Sequence, residues 1–160
     1  MPDLLDLTSH LPEVGFAAGD TVFEQGGPSG SLWVLVSGAL GVWNGDVVVG
    51  RLTRPGALVG EVSLLLGIDH WATVRATEAT RVRYAADGQA LLDSSPEVIT
   101  QVAVGLAHRL TGVTAYLADL EHQYGDAPGL AMVGEVLSQI TMHHPPPTTT
   151  GSARDPDPEY

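Results

Sequence analysis

The stretch VGEVSLLLGIDHWATVRA, Val59 to Ala76, holds the residues of this chain best placed to do chemistry. A strand-to-helix corner within GEVSLLLG puts Gly60 where backbone must come close to a ligand, which only a residue without a side chain permits. The helix that follows aims unpaired N–H groups and the positive end of its dipole outward. Glu61 stands at that mouth, where a carboxylate cannot help an anion and makes sense as an acceptor for ligand hydroxyls. The chemistry called for is one anionic group with a hydroxyl beside it. A sugar phosphate fits. The corner that should carry a fixed positive charge carries His70, with Trp71 next to it.

Other constellations are weaker. GGPSGS (Gly26 to Ser31) has the glycines of a phosphate loop, but no Lys-Ser/Thr follows, and it reads as a turn. His143 and His144 precede three prolines and read as tail, so no metal site is expected. There is no Gly-x-Ser-x-Gly, no His-Glu-x-x-His and no carboxylate pair at helical spacing, so the chain is read as no enzyme and as needing no cofactor.

At 160 residues, 44% hydrophobic, with 19 glycines and 11 prolines, the chain suits one turn-rich globular domain. The net charge is −12, from 19 acidic residues and 7 arginines, with no lysine. A nucleic-acid duplex repels such a surface, and no basic patch intervenes. Zero cysteines remove disulfides and thiolate chemistry. No run of about 18 apolar residues spans a membrane, and the acidic MPDLLDLTSH lacks the basic start of a signal peptide. A cytoplasmic protein with no membrane partner is expected.

Residues 1–10 read as an N-terminal helical segment. From Leu11 to Ala85, short runs such as TVFEQ, SLWVLVSG, ALGVW and DVVVGRL alternate with Gly-, Pro- or Asn-bearing corners, which predicts many short strands. Asn44-Gly45 predicts a type I′ hairpin. Asp87 is placed to cap a short helix. Ser95, Pro96 and Glu97 open a long one. Leu106, Leu110, Val113, Leu117 and Leu120 form a coiled-coil-like seam on it. A further helix restarts after a Gly-Asp-Ala-Pro break, with Leu130, Val133, Leu137 and Ile140 on one face, giving an extra element over 125–143. Residues 144–160 are expected to be disordered. Strands first and helices after make an α+β arrangement.

FAAGDTVFEQGGPSGSLWVLVSGALGV followed by RPGALVGEVSLLLGIDHWATVRA resembles the cyclic nucleotide-binding domain family, over roughly residues 11–124. That family includes the sensor domains of cyclic-AMP receptor transcription factors and the regulatory subunits of cyclic-AMP-dependent kinase. Gly19, Gly26, Gly38, Gly56 and Gly60 stand at its expected corners, and PEVITQVAVGLAHRL is similar to its long C-terminal helix. The resemblance implies an antiparallel β-roll, or jelly roll, with flanking helices. It also implies a phosphate-binding cassette that opens Gly-Glu and closes Arg-small-Ala-Thr/Ser-Val. Gly60, Glu61, Val62 and Ser63 match the opening, and Ala72, Thr73 and Val74 the end. The resemblance gives Glu61 the ribose hydroxyl.

Two positions depart from that pattern. His70 stands where the phosphate-clamping arginine is expected, and Trp71 where a small residue is expected. Histidine is mostly neutral at pH 7, and losing a charge-assisted pair forgoes about 1.5–3 kcal/mol. Arg75 cannot simply deputise, because it faces opposite to His70 or lies well along the strand. His70 is read either as a retuned ligand contact or as an ordinary loop histidine. Trp71 is read either as closing or stacking on a ligand or as packing over the roll. Glu61 is read as a cassette residue, with a simple helix cap as the alternative.

Two functions remain in view. One is a non-catalytic sensor binding a cyclic nucleotide, cyclic AMP as first choice, or a related anion, and signalling to a protein partner. The other is a degenerate pseudo-receptor that serves as a dimerising or docking scaffold. A homodimer through the 96–124 helix is expected. The family's transcription factors carry a helix-turn-helix after the long helix, and the residues beyond Tyr124 carry no basic helix, so direct DNA binding is not expected.

Overall fold

The computed structural model describes residues 2–124 and 132–141. Leu130, His143, His144 and the expected tail lie outside the described residues, as does the side chain of Ile140. Chain contacts divide the protein after Leu106 into two compact units.

The first unit is organised around β3 (Leu32–Ser37), whose first four residues are all buried. Its side chains alternate between two cores, as successive residues of a strand must. Leu32 and Val34 enter a cluster with Leu58, Ala85, Leu91, Leu92, Val98 and Val102. Trp33 and Leu35 enter a second with Leu40, Val59, Val74, Ala76 and Val82. That is why the run LWVLV is continuously apolar: both faces are covered.

Two four-stranded antiparallel sheets supply the layers. One has the order β1-β8-β3-β6, from β1 (Glu13–Phe16), β8 (Thr80–Ala85), β3 and β6 (Leu58–Val59). The other has the order β2-β7-β4-β5, from β2 (Thr21–Phe23), β7 (Thr73–Ala76), β4 (Leu40–Asn44) and β5 (Val47–Leu52). Leu4 of α1 (Leu4–Leu7), Leu91 and Leu92 of α3 (Gly88–Asp93), and Val98 and Val102 of α4 (Pro96–Tyr124) join the first cluster. α2 (Glu61–Leu66) follows β6 directly. The α+β roll with its long helix is the expected class.

Local signals held closely. Asp87 accepts a hydrogen bond from the Ala90 amide, and Ser95 one from Val98. All five glycines at the expected corners have positive φ, between 83° and 98°. The hairpin is displaced by one residue: Asn44 pairs with Val47, so the two-residue loop is Gly45-Asp46, with Gly45 at φ 58°. Two-residue loops that match the strand twist start with φ > 0, which glycine provides.

In the second unit the C-terminal part of α4 is followed by α5 (Met132–Thr141). Val133 and Leu137 are half-buried, and Gly134 lies against the Glu121 carboxylate. On α4, Leu117 and Leu120 are half-buried while Leu110 and Val113 are exposed.

Candidate functional site

The cassette begins where β6 turns into α2. Gly60 caps the helix with φ 98°, ψ −13°. A Cβ there would stand 2.6 Å from the Ser31 carbonyl oxygen, so both the dihedral and the space demand glycine. Val62 is half-buried in the first turn of α2, and Ser63 is buried.

Glu61 is not a mouth residue. It is 1% exposed and holds an interaction within the fold. A carboxylate taken out of water needs partners that replace hydration, so it belongs to the packed structure as well as to the cassette.

The two ends of the cassette meet. The Trp71 amide donates to Ser63 Oγ at 3.1 Å, and the Ile68 amide donates to the Ser63 carbonyl at 3.0 Å. The Trp71 carbonyl accepts from Asn44 Nδ2 at 2.9 Å. Ala72 is buried, and Thr73 Oγ1 accepts from the Gln25 amide at 2.9 Å. The hydroxyls of Ser63 and Thr73 are thus engaged in holding the loop. Trp71 itself is 38% exposed.

His70 turns inward. It is 4% exposed and stacks on Phe23, with ring centroids 3.8 Å apart and planes 21° apart. A bulge between Thr21 and Phe23 interrupts β2 just before that ring. Trp33 continues the aromatic string edge-on to Phe23 at 5.1 Å, and Tyr84 lies 5.3 Å beyond Trp33. The His70 backbone is fixed on both sides: its amide donates to the Gly27 carbonyl, and its carbonyl accepts from the Gly26 amide. His70 Nδ1 is buried with no hydrogen-bond partner. His70 is thus packed into the corner rather than solvated.

Burial holds the His70 pKa below the ordinary histidine value, with the nearby Asp69 charge opposing the effect. The imidazole is therefore neutral near pH 7 in this arrangement. Arg75 is exposed and lies over the Trp43 ring at 5.4 Å, while Arg81 and Arg83 approach Glu13.

Residues 13–93 match the cyclic nucleotide-binding domain family. The chain belongs to that family. It is 32% identical over 144 residues to a CRP-like cAMP-activated global transcriptional regulator of Mycobacterium tuberculosis, a match covering 85% of this chain. It spans only 62% of that relative's length. Among solved structures it resembles the N-terminal domain of a transcriptional regulator from Streptomyces coelicolor, at TM-score 0.50 and 28% identity, covering 68% of this chain and 81% of the other. It shares its fold with the Thermus thermophilus catabolite activator protein, at TM-score 0.59 and 24% identity, covering 89% of this chain and 82% of that one.

Within this cyclic nucleotide-binding domain, Phe23, Gln25 and Trp33 were not singled out from sequence, and Asn44 was read only as a turn residue. Their contacts span tens of residues, and no local spacing announces them. A separate apolar cleft of about 440 Å³, lined by residues including Leu11, Tyr84 and Leu91, contains no cassette residue. Among the described residues no helix is long and apolar enough to cross a membrane, and no group of three or more His, Cys, Asp or Glu is placed to hold a metal.

Two outcomes are expected. Glu61→Gln should cost about 1–3 kcal/mol in urea unfolding, because a buried group loses its matched partners; an unchanged midpoint would show that the fold does not hold the carboxylate. His70 supplies a pH test. Unfolded, it titrates near about 6.5, while the folded form resists protonation. The unfolded chain then binds more protons, so stability should fall as pH drops through about 6.5 and level off below the folded pKa. His70→Leu should lack that component in a difference curve of melting temperature against pH.

Proposed function

We propose that this domain is a non-catalytic regulatory module that senses a cyclic nucleotide, cyclic AMP as first choice, or a related anion, through the cassette from Gly60 to Thr73. The observation that carries this reading is the buried, partnerless Nδ1 of His70 at the clamp position. An unsatisfied buried polar atom costs about 1–3 kcal/mol, and a leucine of similar size would avoid it. A domain kept only as a scaffold has no use for that cost. A sensor has: when the imidazole leaves Phe23 it regains hydrogen bonds and takes up a proton, and an anion at the cassette favours both changes. Gly60 and Glu61 complete the support, with Glu61 assigned the ribose hydroxyl. In this reading ligand binding changes how a partner protein engages the domain.

A second reading, the pseudo-receptor, is favoured by the neutrality of the stacked His70 and by the bulk of Trp71. Under it the domain dimerises or docks without a ligand. Both readings include a homodimer through α4, supported by Leu110 and Val113, which are 52% and 53% exposed.

Calorimetry with cyclic AMP and cyclic GMP at several pH values separates the two. The sensor should bind more tightly as pH falls through His70's titration, with affinity levelling at a weak value at high pH and a strong value at low pH. Absent binding supports the pseudo-receptor, and binding that is flat between about pH 5.5 and 8 removes His70 from the sensing. His70→Arg alone should gain little if Trp71 closes the site, whereas His70→Arg with Trp71→Ala should bind cyclic AMP. A folded double variant that still fails to bind ends the nucleotide reading. The dimer has its own check: sedimentation should show the wild type dimeric at tens of micromolar, a concentration where weak helix pairs associate. Charged residues at Leu110 and Leu117 should make it monomeric, and a monomeric wild type refutes the pairing.

A further inference from the structure

Four large apolar side chains between residues 65 and 71 face solvent: Leu65 is 47% exposed, Leu66 66%, Ile68 44% and Trp71 38%. The end of the β4–β5 hairpin lies against this segment, because Asn44 Nδ2 bonds the Trp71 carbonyl, and Asn44 pairs with Val47. Val47 and Val48 are themselves 63% and 60% exposed. Scattered apolar residues on a surface are ordinary, but a contiguous group of this kind marks an interaction site.

The segment is also held in place. Ser29 Oγ donates to the Ile68 carbonyl at 2.6 Å, Gly67 ends α2 in the left-handed conformation, and Trp71 is bonded through both its amide and its carbonyl. A tryptophan whose backbone is already fixed loses less freedom on binding, which suits an interface anchor.

Charge names the occupant. Glu24, Asp46 and Asp69 are exposed around this face and form no ion pair with another described residue. Glu24 belongs to the turn bonded to the His70 backbone, Asp46 precedes Val47, and Asp69 separates Ile68 from the cassette corner. Arg51 and Arg75 both pair with Gly41, three residues back along β4 from Asn44, or about 10 Å at strand spacing. The chain carries −12 overall and no lysine, so its own surface offers this acidic rim little counter-charge.

We propose that the face formed by Leu65, Leu66, Ile68 and Trp71, with the end of the β4–β5 hairpin beside it, docks a basic amphipathic helix of a partner protein. Apolar anchors at i, i+3, i+4 and i+7 of that helix fill the face, while its lysines or arginines meet Glu24, Asp46 and Asp69. The docking requires no nucleotide.

The test uses the full chain and two labelled synthetic helices of about 20 residues, long enough for several helical turns. Both carry leucine at the anchor spacing; one has lysine elsewhere and its twin has glutamate. Anisotropy at about 150 mM salt should show saturable one-to-one binding of the lysine helix and none of its twin. Leu65→Ser with Leu66→Ser should weaken binding at least about tenfold, or about 1.4 kcal/mol, with the melting curve unchanged. Asp46→Asn with Asp69→Asn should weaken it and flatten its salt dependence. Absence of binding, equal binding of the glutamate twin, or unchanged binding by the leucine variant would overturn the proposal. So would a wild-type dimer that the leucine variant dissociates, which would give the face to a second copy. The helix titrations contain no nucleotide, so this surface can fail while the cassette reading stands, and the reverse.

Discussion

Everything in the first unit follows from the need to keep β3 dry on both faces. A strand of Leu, Trp, Val, Leu and Val cannot leave either side in water without exposing several large apolar groups. One face is covered by α1, α3 and the start of α4, the other by the second sheet. That double cover also fixes the cassette. The residue just before β3, Ser31, presents the carbonyl that excludes a side chain at position 60, and Trp33 pairs with Val59 one residue before the corner. The corner is therefore shaped by the most buried strand of the unit, not by the loop that bears the chemistry.

The same constraint explains the behaviour of His70. Trp33 projects between the sheets and meets Phe23 edge-on, leaving a flat aromatic face against which the imidazole lies. An arginine at position 70 could not enter that space without burying a permanent charge. Histidine can, because it sheds its proton. A histidine, unlike an arginine, can thus join the core at this corner.

The fold was legible in the sequence because its signals are local. Asp87 and Ser95 announce their caps, and the corner glycines announce reversals of the chain. The strand run at residues 32–36 announces burial, though not which partners cover it. The cassette was legible as a pattern of residue types, but the directions of its side chains were not. Glu61 reads as a mouth residue until the α2 start is seen to be packed. His70 reads as a loop residue until Phe23, 47 positions earlier, is brought beneath it by pairing with β7. The hairpin moved by one residue because Asn44 completes a strand pair before the loop begins. Side-chain direction at a corner is set by long-range packing, to which nearest-neighbour spacing is blind.

One consequence follows from the two backbone hydrogen bonds that flank His70. They tie its amide and carbonyl to Gly27 and Gly26, so the peptide plane on either side has no freedom to swing. The imidazole has only its own two torsions by which to leave Phe23. Because the ring is buried against Phe23 and near Trp33, it can turn only as that packing loosens, so any change at this corner is tied to the aromatic string beneath it.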